Sequence, residues 1–258
     1  MNFSVRDVSL STGPVHYLVA GSGPPILYLH SAGGVRLTQP IQELAKTFTV
    51  HVPTFPGFDG TPRHEAVASM PALADLTAEF MGTQTSAPCD VIGHSFGGWV
   101  AMWLAVRHPG KVDHLVLETP AGLLPEGKGG LSKDPDVLRR QLYAHPERLP
   151  PDTKPMEVVT ANRAMLAHYH RGPHMDQALA AELGKISCLT LVLAGALDGV
   201  IPPETGRLLK ARLPHCYLTY VHDAAHNIEV DQPDFFSRVV GDFLAWGEGF
   251  LVKRQARA

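Results

Sequence analysis

A serine with a glycine two residues away on either side, in Gly93-His94-Ser95-Phe96-Gly97, is the first feature with chemical content. It follows the apolar run Asp90–Ile92 and opens a helical stretch, Phe96–Arg107, that His108-Pro109-Gly110 ends. A sharp strand-to-helix turn points such a hydroxyl into a cleft. The turn is strained, and a side chain at 93 or 97 would crowd it, so glycine serves at both places. The helix start then aims its free N–H groups and dipole at the same point. That arrangement suits nucleophilic attack on a carbonyl carbon.

A lone serine is a weak nucleophile and needs a base within hydrogen-bond reach. His226, in Ala224-Ala225-His226-Asn227, lies on the loop between the last apolar strand and the final helix. His222 is the rival base, but it sits closer to the strand end. An acid must in turn hold the imidazole tautomer. Asp198 follows the apolar run Leu191–Ala194 in Gly195-Ala196-Leu197-Asp198-Gly199, at a strand end that faces the cleft. Glu118, at the end of the preceding strand, is the alternative acid. The remaining requirement is a pair of donors for the developing oxyanion. His30-Ser31-Ala32-Gly33-Gly34 follows a short apolar strand, and the backbone N–H groups of Ala32 and Phe96 are the expected donors. Each is worth about 3 kcal/mol in the transition state.

The elements that must place these residues alternate. Apolar or β-rich runs at Phe3–Leu10, Val15–Ala20, Ile26–Leu29, Phe48–Val52, Asp90–Ile92, Val112–Leu117, Leu189–Ala194 and Tyr217–Val221 read as strands. Helical patterns fall at Pro71–Met81, Phe96–Arg107, Pro203–Leu213 and Pro233–Trp246. The pattern predicts an α/β protein whose mostly parallel sheet is covered by helices on both faces, with an antiparallel edge from the first two strands. Residues 121–187 break the rhythm. They hold no convincing buried strand but carry helical candidates at Pro135–Ala144, Met156–Tyr169 and Asp176–Leu183, with Asp134-Pro135 as cap and first-turn proline. This predicts a core of residues 1–120 and 188–258 with a helical cap, 121–187, inserted after the sixth strand.

Composition narrows the partners. The chain has 258 residues, a net charge of −3 and mixed acidic and basic residues, so nothing builds a positive surface for nucleic acid. No apolar run approaches a membrane span, no leader-like segment opens the chain, and three scattered cysteines show neither metal nor disulfide spacing. A cytoplasmic protein acting on a small molecule, as monomer or homodimer, is expected. His168-Tyr169-His170-Arg171-Gly172-Pro173-His174 lacks the accompanying ligands of a zinc site, and neither metal nor cofactor is expected. The basic tail Lys253, Arg254, Arg257 reads as a solvated end.

Taken in order, these motifs, together with Pro56-Gly57-Phe58-Asp59-Gly60, resemble the α/β-hydrolase superfamily, in its small bacterial branch with a helical cap. The resemblance covers nearly the whole chain and implies an eight-stranded α/β-hydrolase fold and a Ser95–His226–Asp198 triad. It implies hydrolysis of a small carboxylic ester through an acyl-enzyme. Many relatives carry glycine where this chain has Ser31. Aspartate-dependent dehalogenases and epoxide hydrolases are disfavoured by Ser95. Ring-cleavage carbon–carbon hydrolases use serine, and Arg163 and Arg171 are candidate carboxylate ligands, with His30 and Ser31 as further candidate substrate contacts. A non-catalytic ligand-binding protein and a cofactor-independent dioxygenase are the remaining alternatives on this fold.

Overall fold

The computed structural model describes residues 2–85, 88–149 and 154–251; the basic tail at 253–257 lies outside them. One sheet of eight strands organises the chain: β1 (Ser4–Leu10), β2 (Gly13–Ala20), β3 (Pro25–Leu29), β4 (Thr49–Pro53), β5 (Cys89–His94), β6 (Val112–Glu118), β7 (Leu189–Gly195) and β8 (Cys216–Val221). Their order is β1-β2-β4-β3-β5-β6-β7-β8. The first two strands form the expected antiparallel edge, β2 pairs antiparallel with β4, and all further pairs are parallel.

The helices are α1 (Gln39–Leu44), α2 (Met70–Gln84), α3 (Phe96–Arg107), α4 (Pro135–Leu142), α5 (Met156–Ala164), α6 (Leu166–Tyr169), α7 (Gln177–Glu182), α8 (Glu204–Arg212), α9 (Ile228–Asp231) and α10 (Pro233–Trp246). Side chains alternate across a strand, so each central strand feeds two cores. Leu27 and Leu29 of β3 pack in the core that takes the apolar residues of α2 and α3, such as Leu73, Phe80, Val100 and Leu104. Ile26 and Tyr28 pack in the other, against Ile41 of α1 and Phe236, Val240 and Phe243 of α10. Burial on both faces is why the central strands read as continuous apolar runs.

The sequence pattern does not reveal α1 or α9, which are six and four residues long. Helices that short show too little of the 3.6-residue period to be recognised. The helix expected over 156–169 is interrupted at Met165, the C-cap of α5.

Between β6 and β7 the described residues form α4 to α7 and no strand; a single antiparallel bridge joins Leu123 to Met175. Asp134 caps α4 as expected, its Oδ1 accepting the N–H groups of Asp136 and Val137 at 2.9 and 3.0 Å. Asp176 ties the far end of this segment down. Its Oδ2 accepts the indole N–H of Trp99 at 2.9 Å and of Trp103 at 2.8 Å, while Oδ1 caps α7 through Leu179 N–H. The two tryptophans share a helix face because they lie four residues apart. Among the described residues no helix is long and apolar enough to cross a membrane. All three cysteines are free, and burial pushes their thiols up to about 12 (Cys89) and about 11 (Cys188 and Cys216), so none is poised as a thiolate.

Replacing Asp176 by alanine orphans two indole donors and removes a helix cap. At about 1–3 kcal/mol for each orphaned donor and about 1 for the cap, the expected loss is at least about 3 kcal/mol in denaturant unfolding.

Candidate active site

Ser95 stands between β5 and α3 with φ 52° and ψ −109°, in the left-handed region that a residue with a side chain rarely occupies. Its neighbours enforce this. Ser95 N–H donates to the Glu118 carbonyl at 2.9 Å, and the Ser95 carbonyl accepts from Ala121 N–H at 2.9 Å and Trp99 N–H at 3.1 Å. A Cβ on Gly93 would lie 2.6 Å from the Gly97 carbonyl oxygen, and one on Gly97 would run into the Leu29 carbonyl of the adjacent strand. Glycine at these positions lets β3, β5 and α3 converge on the serine.

The three residues singled out as a triad meet. His226 Nε2 is 2.9 Å from Ser95 Oγ, and His226 Nδ1 is 2.9 Å from Asp198 Oδ2. The other carboxylate oxygen of Asp198 accepts the N–H groups of Val200 and Ile201 at 2.8 and 2.9 Å, which leaves Oδ2 for the imidazole. All three are buried. With Asp198 on Nδ1–H, the Nε2 lone pair faces the hydroxyl and is set to take its proton. The rivals lie elsewhere. His222 is exposed, and Glu118 turns its Oε1 to the Glu229 N–H at 3.0 Å.

Ala32 and Phe96 both line the cavity beside Ser95. Phe96 is the first residue of α3, so its N–H has no carbonyl acceptor within the helix. Neither N–H donates to another group among the described residues, as a pair of free oxyanion donors requires. Ser31 also lines the cavity, but part of its role is local: its hydroxyl accepts Gly33 N–H at 3.3 Å and its carbonyl accepts Gly34 N–H at 3.0 Å.

Two of the expected substrate contacts need correction. His30 is fully buried behind the Ser31–Gly34 turn and does not line the cavity. Its Nδ1–H donates to the Ser31 carbonyl at 2.7 Å, and its Nε2 accepts Phe55 N–H at 3.1 Å. Both ring nitrogens are spent on backbone, and burial pulls its pKa down to about 4, so it stays neutral and props the loop. Arg171 is exposed and outside the cavity lining. Arg163 does line it, half-buried, its side chain making no hydrogen bond or ion pair among the described residues.

Several residues around the site carry no recognisable motif. Asn162 of α5 donates its side-chain N–H to the Gly33 carbonyl at 2.9 Å and to Asp59 Oδ1 at 2.7 Å, and it accepts Asp59 N–H at 2.7 Å. Lys154 pairs with the same carboxylate at 2.5 Å, and Asp59 Oδ2 accepts Val35 N–H at 2.8 Å. The Ser31–Gly34 turn is thereby held from above by the 121–187 segment. Behind His226, its carbonyl accepts Thr119 Oγ1–H at 2.9 Å and His94 Nε2–H at 3.1 Å.

Beneath lies a buried polar layer. Glu229 accepts the Tyr28 hydroxyl and the Thr38 hydroxyl, each at 3.1 Å, with His94 Nδ1 4.0 Å away and Arg36 nearby. Burial pushes the Glu229 carboxyl up to about 7, and burial with the neighbouring Glu229 raises Glu118 well above the usual carboxylate range. Two groups of three possible metal ligands occur among the described residues, this one (His94, Glu118, Glu229) and Asp90–Asp113–His114 at the other end of the sheet.

The cavity over Ser95 measures about 330 Å³. Its walls mix apolar residues (Phe96, Trp99, Leu124, Leu142, Val200, Ile201) with Arg36, Lys154, Arg163, Tyr143 and Glu229. Arg36 donates to the Tyr143 hydroxyl at 2.7 Å.

A mostly parallel eight-stranded sheet, crossed by helices on both faces and carrying a serine on a strained strand-to-helix turn, defines an alpha/beta hydrolase. The chain belongs to the alpha/beta hydrolase family, whose model matches residues 26–239. It is 29% identical to a 2-hydroxymuconate semialdehyde hydrolase of Pseudomonas sp. (strain CF600), over 90% of this chain and 91% of that protein. To a pimeloyl-[acyl-carrier protein] methyl ester esterase of Chromobacterium violaceum it is 26% identical, over 87% of this chain and 95% of the other. The solved structure of a membrane phospholipase A superposes with a TM-score of 0.79 at 22% identity, covering 97% of this chain and 87% of that one, a likeness of fold alone.

The buried layer gives the protein a pH-dependent stability. A folded-state pKa of about 7 against an ordinary 4.5 means that native Glu229 keeps its proton where the unfolded chain has lost it. Stability from this group is full below about pH 4.5 and is lost as pH rises through 7, a decline on the order of 2 kcal/mol between pH 5 and 8. Tyr28, Arg36, Thr38, His94 and Asp231 face the Glu118–Glu229 pair. Denaturant midpoints measured across this range should fall with pH in the parent protein and flatten in Glu229→Gln.

Proposed function

We propose that this protein is a serine hydrolase that cleaves a small carboxylic ester through an acyl-enzyme, with residues 121–187 as its cap. The observation that carries the reading is the unbroken Asp198–His226–Ser95 chain, 2.9 Å at each step, ending on the strained turn. His226 takes the Ser95 proton as Oγ attacks the ester carbonyl. The N–H groups of Ala32 and Phe96 hold the oxyanion, and Asp198 stabilises the imidazolium. His226 then protonates the leaving alcohol, and in the second half activates water against the acyl-enzyme.

A second reading, carbon–carbon bond hydrolysis of a vinylogous diketone acid, draws on the cavity charge and on the name of the 2-hydroxymuconate semialdehyde hydrolase relative. Arg36, Lys154 and Arg163 all line the cavity; Lys154 is paired with Asp59, whereas Arg163 makes no ion pair among the described residues. A half-buried cation of this kind suits a substrate carboxylate. In both readings the same serine and histidine act, and the leaving group differs.

A fluorophosphonate probe should label the intact protein at Ser95, and Ser95→Ala should lower turnover of p-nitrophenyl esters by at least about 10⁴-fold. Absence of labelling would sink the serine mechanism. Arg163→Gln separates the two readings. It should raise KM at least about 10-fold for a carboxylate-bearing substrate and leave neutral esters within about 2-fold if the acid is the substrate class.

A further inference from the structure

We propose that Asp231 is a positioning residue that makes the placement of His226 depend on the segment over the cavity. Its carboxylate is fully buried, and backbone groups from two separate places meet on it. Oδ2 accepts Ala225 N–H at 2.8 Å and Ala144 N–H at 3.0 Å, and Oδ1 accepts His145 N–H at 2.8 Å. Ala225 immediately precedes His226. On the other side of the histidine, Asn227 donates both its backbone and its side-chain N–H to the Leu142 carbonyl, each at 3.0 Å. Both chain neighbours of His226 are therefore tied to Leu142–His145, the end of α4 and the residues after it, Asn227 directly and Ala225 through Asp231. The Arg148 guanidinium, from the same region, donates to the Asp231 carbonyl.

The chemistry calls for a carboxylate. Three N–H donors converge, and an ionised carboxyl is acceptor-only, whereas an amide would turn its own NH₂ toward one of them. Both carboxylate oxygens accept backbone N–H groups, so burial leaves neither without a partner. Asp231 does not line the cavity, so it acts only through the loop it holds. The consequence is that the end of α4 and the histidine loop form one piece. A shift of this stretch moves the base relative to Ser95, and a 1 Å misplacement costs on the order of 100-fold in rate.

The inference rests on the reading of Ser95 and His226 as the reacting pair. Two variants test it from opposite ends. Asp231→Asn disturbs the carboxylate. Ala144→Pro removes one of the two donors from the α4 side and leaves the Asp231–His145 and Asp231–Ala225 bonds. Tyr143, which precedes it, is extended (φ −140°, ψ 128°), as a residue before proline should be. At a temperature well below unfolding, both variants should lower kcat for a p-nitrophenyl ester and the rate of fluorophosphonate labelling by about 10- to 100-fold, with KM within about 3-fold. Parental kcat and labelling rate in either folded variant, with only a lowered Tm, would overturn the proposal by assigning Asp231 a merely structural role. A parent protein that takes no label at all would instead overturn the reading of the reacting pair.

Discussion

The backbone of Ser95 is the constraint to which the rest of the fold answers. A serine at φ 52° and ψ −109° costs about 1–3 kcal/mol and persists only where its surroundings over-determine it. Here they do so from every side. The strand before it is paired on both edges, by β3 and β6, and the helix after it starts at the next residue. The backbone N–H and C=O of Ser95 are both bonded across to the β6 end, at Glu118 and Ala121. Thr119, between those two, is itself at a positive φ of 41° and bonds the Leu193 carbonyl through its N–H and the His226 carbonyl through its hydroxyl. Strain at Ser95 and the position of the His226 loop are thus fixed by one four-residue stretch, Glu118–Ala121.

That arrangement has a cost beneath the site. Glu118 and Glu229 are fully buried, and Glu118 Oε2 finds no hydrogen-bond partner among the described residues. Two carboxylates cannot both stay ionised at such depth, so the pair holds protons at pH values where exposed acids would lose them. What the layer supplies in return is orientation. Glu118 binds the backbone at the start of α9, directly after the histidine loop, and His94 spends its Nε2–H on the His226 carbonyl.

Much of this was legible in the sequence, and the division has a physical cause. Ser95, Asp198 and His226 follow from chain order, because the ends of parallel strands deliver loops to one edge and each residue lies just past such an end. The sheet was legible because strands buried on both faces are apolar throughout. Asn162, Asp59, Thr119, Glu229 and Asp231 were not, because each works through a partner distant in sequence: Asn162 meets Asp59 across 103 residues, and Asp231 meets Ala144 across 87. His30 illustrates the opposite failure. A histidine beside an oxyanion loop looks like a substrate contact until its Nδ1 and Nε2 are found on the Ser31 and Phe55 backbones.

The same long-range bonds explain why the 121–187 segment is more than a cover. A segment that merely shielded a cavity would need only apolar contact with its rim. This one is anchored by polar groups, and three of its anchors end on elements around Ser95. Asp176 holds Trp99 and Trp103 on α3, the helix that starts after Ser95. Asn162 and Lys154 hold Gly33 and Asp59 around the Ser31–Gly34 turn. Leu142, Ala144 and His145 hold the two neighbours of His226, directly or through Asp231. Directional bonds of this kind specify one geometry where apolar packing would tolerate several. The walls of the cavity and the groups arrayed around Ser95 are therefore set by one network, which links the cavity lining to the Asp198–His226–Ser95 alignment.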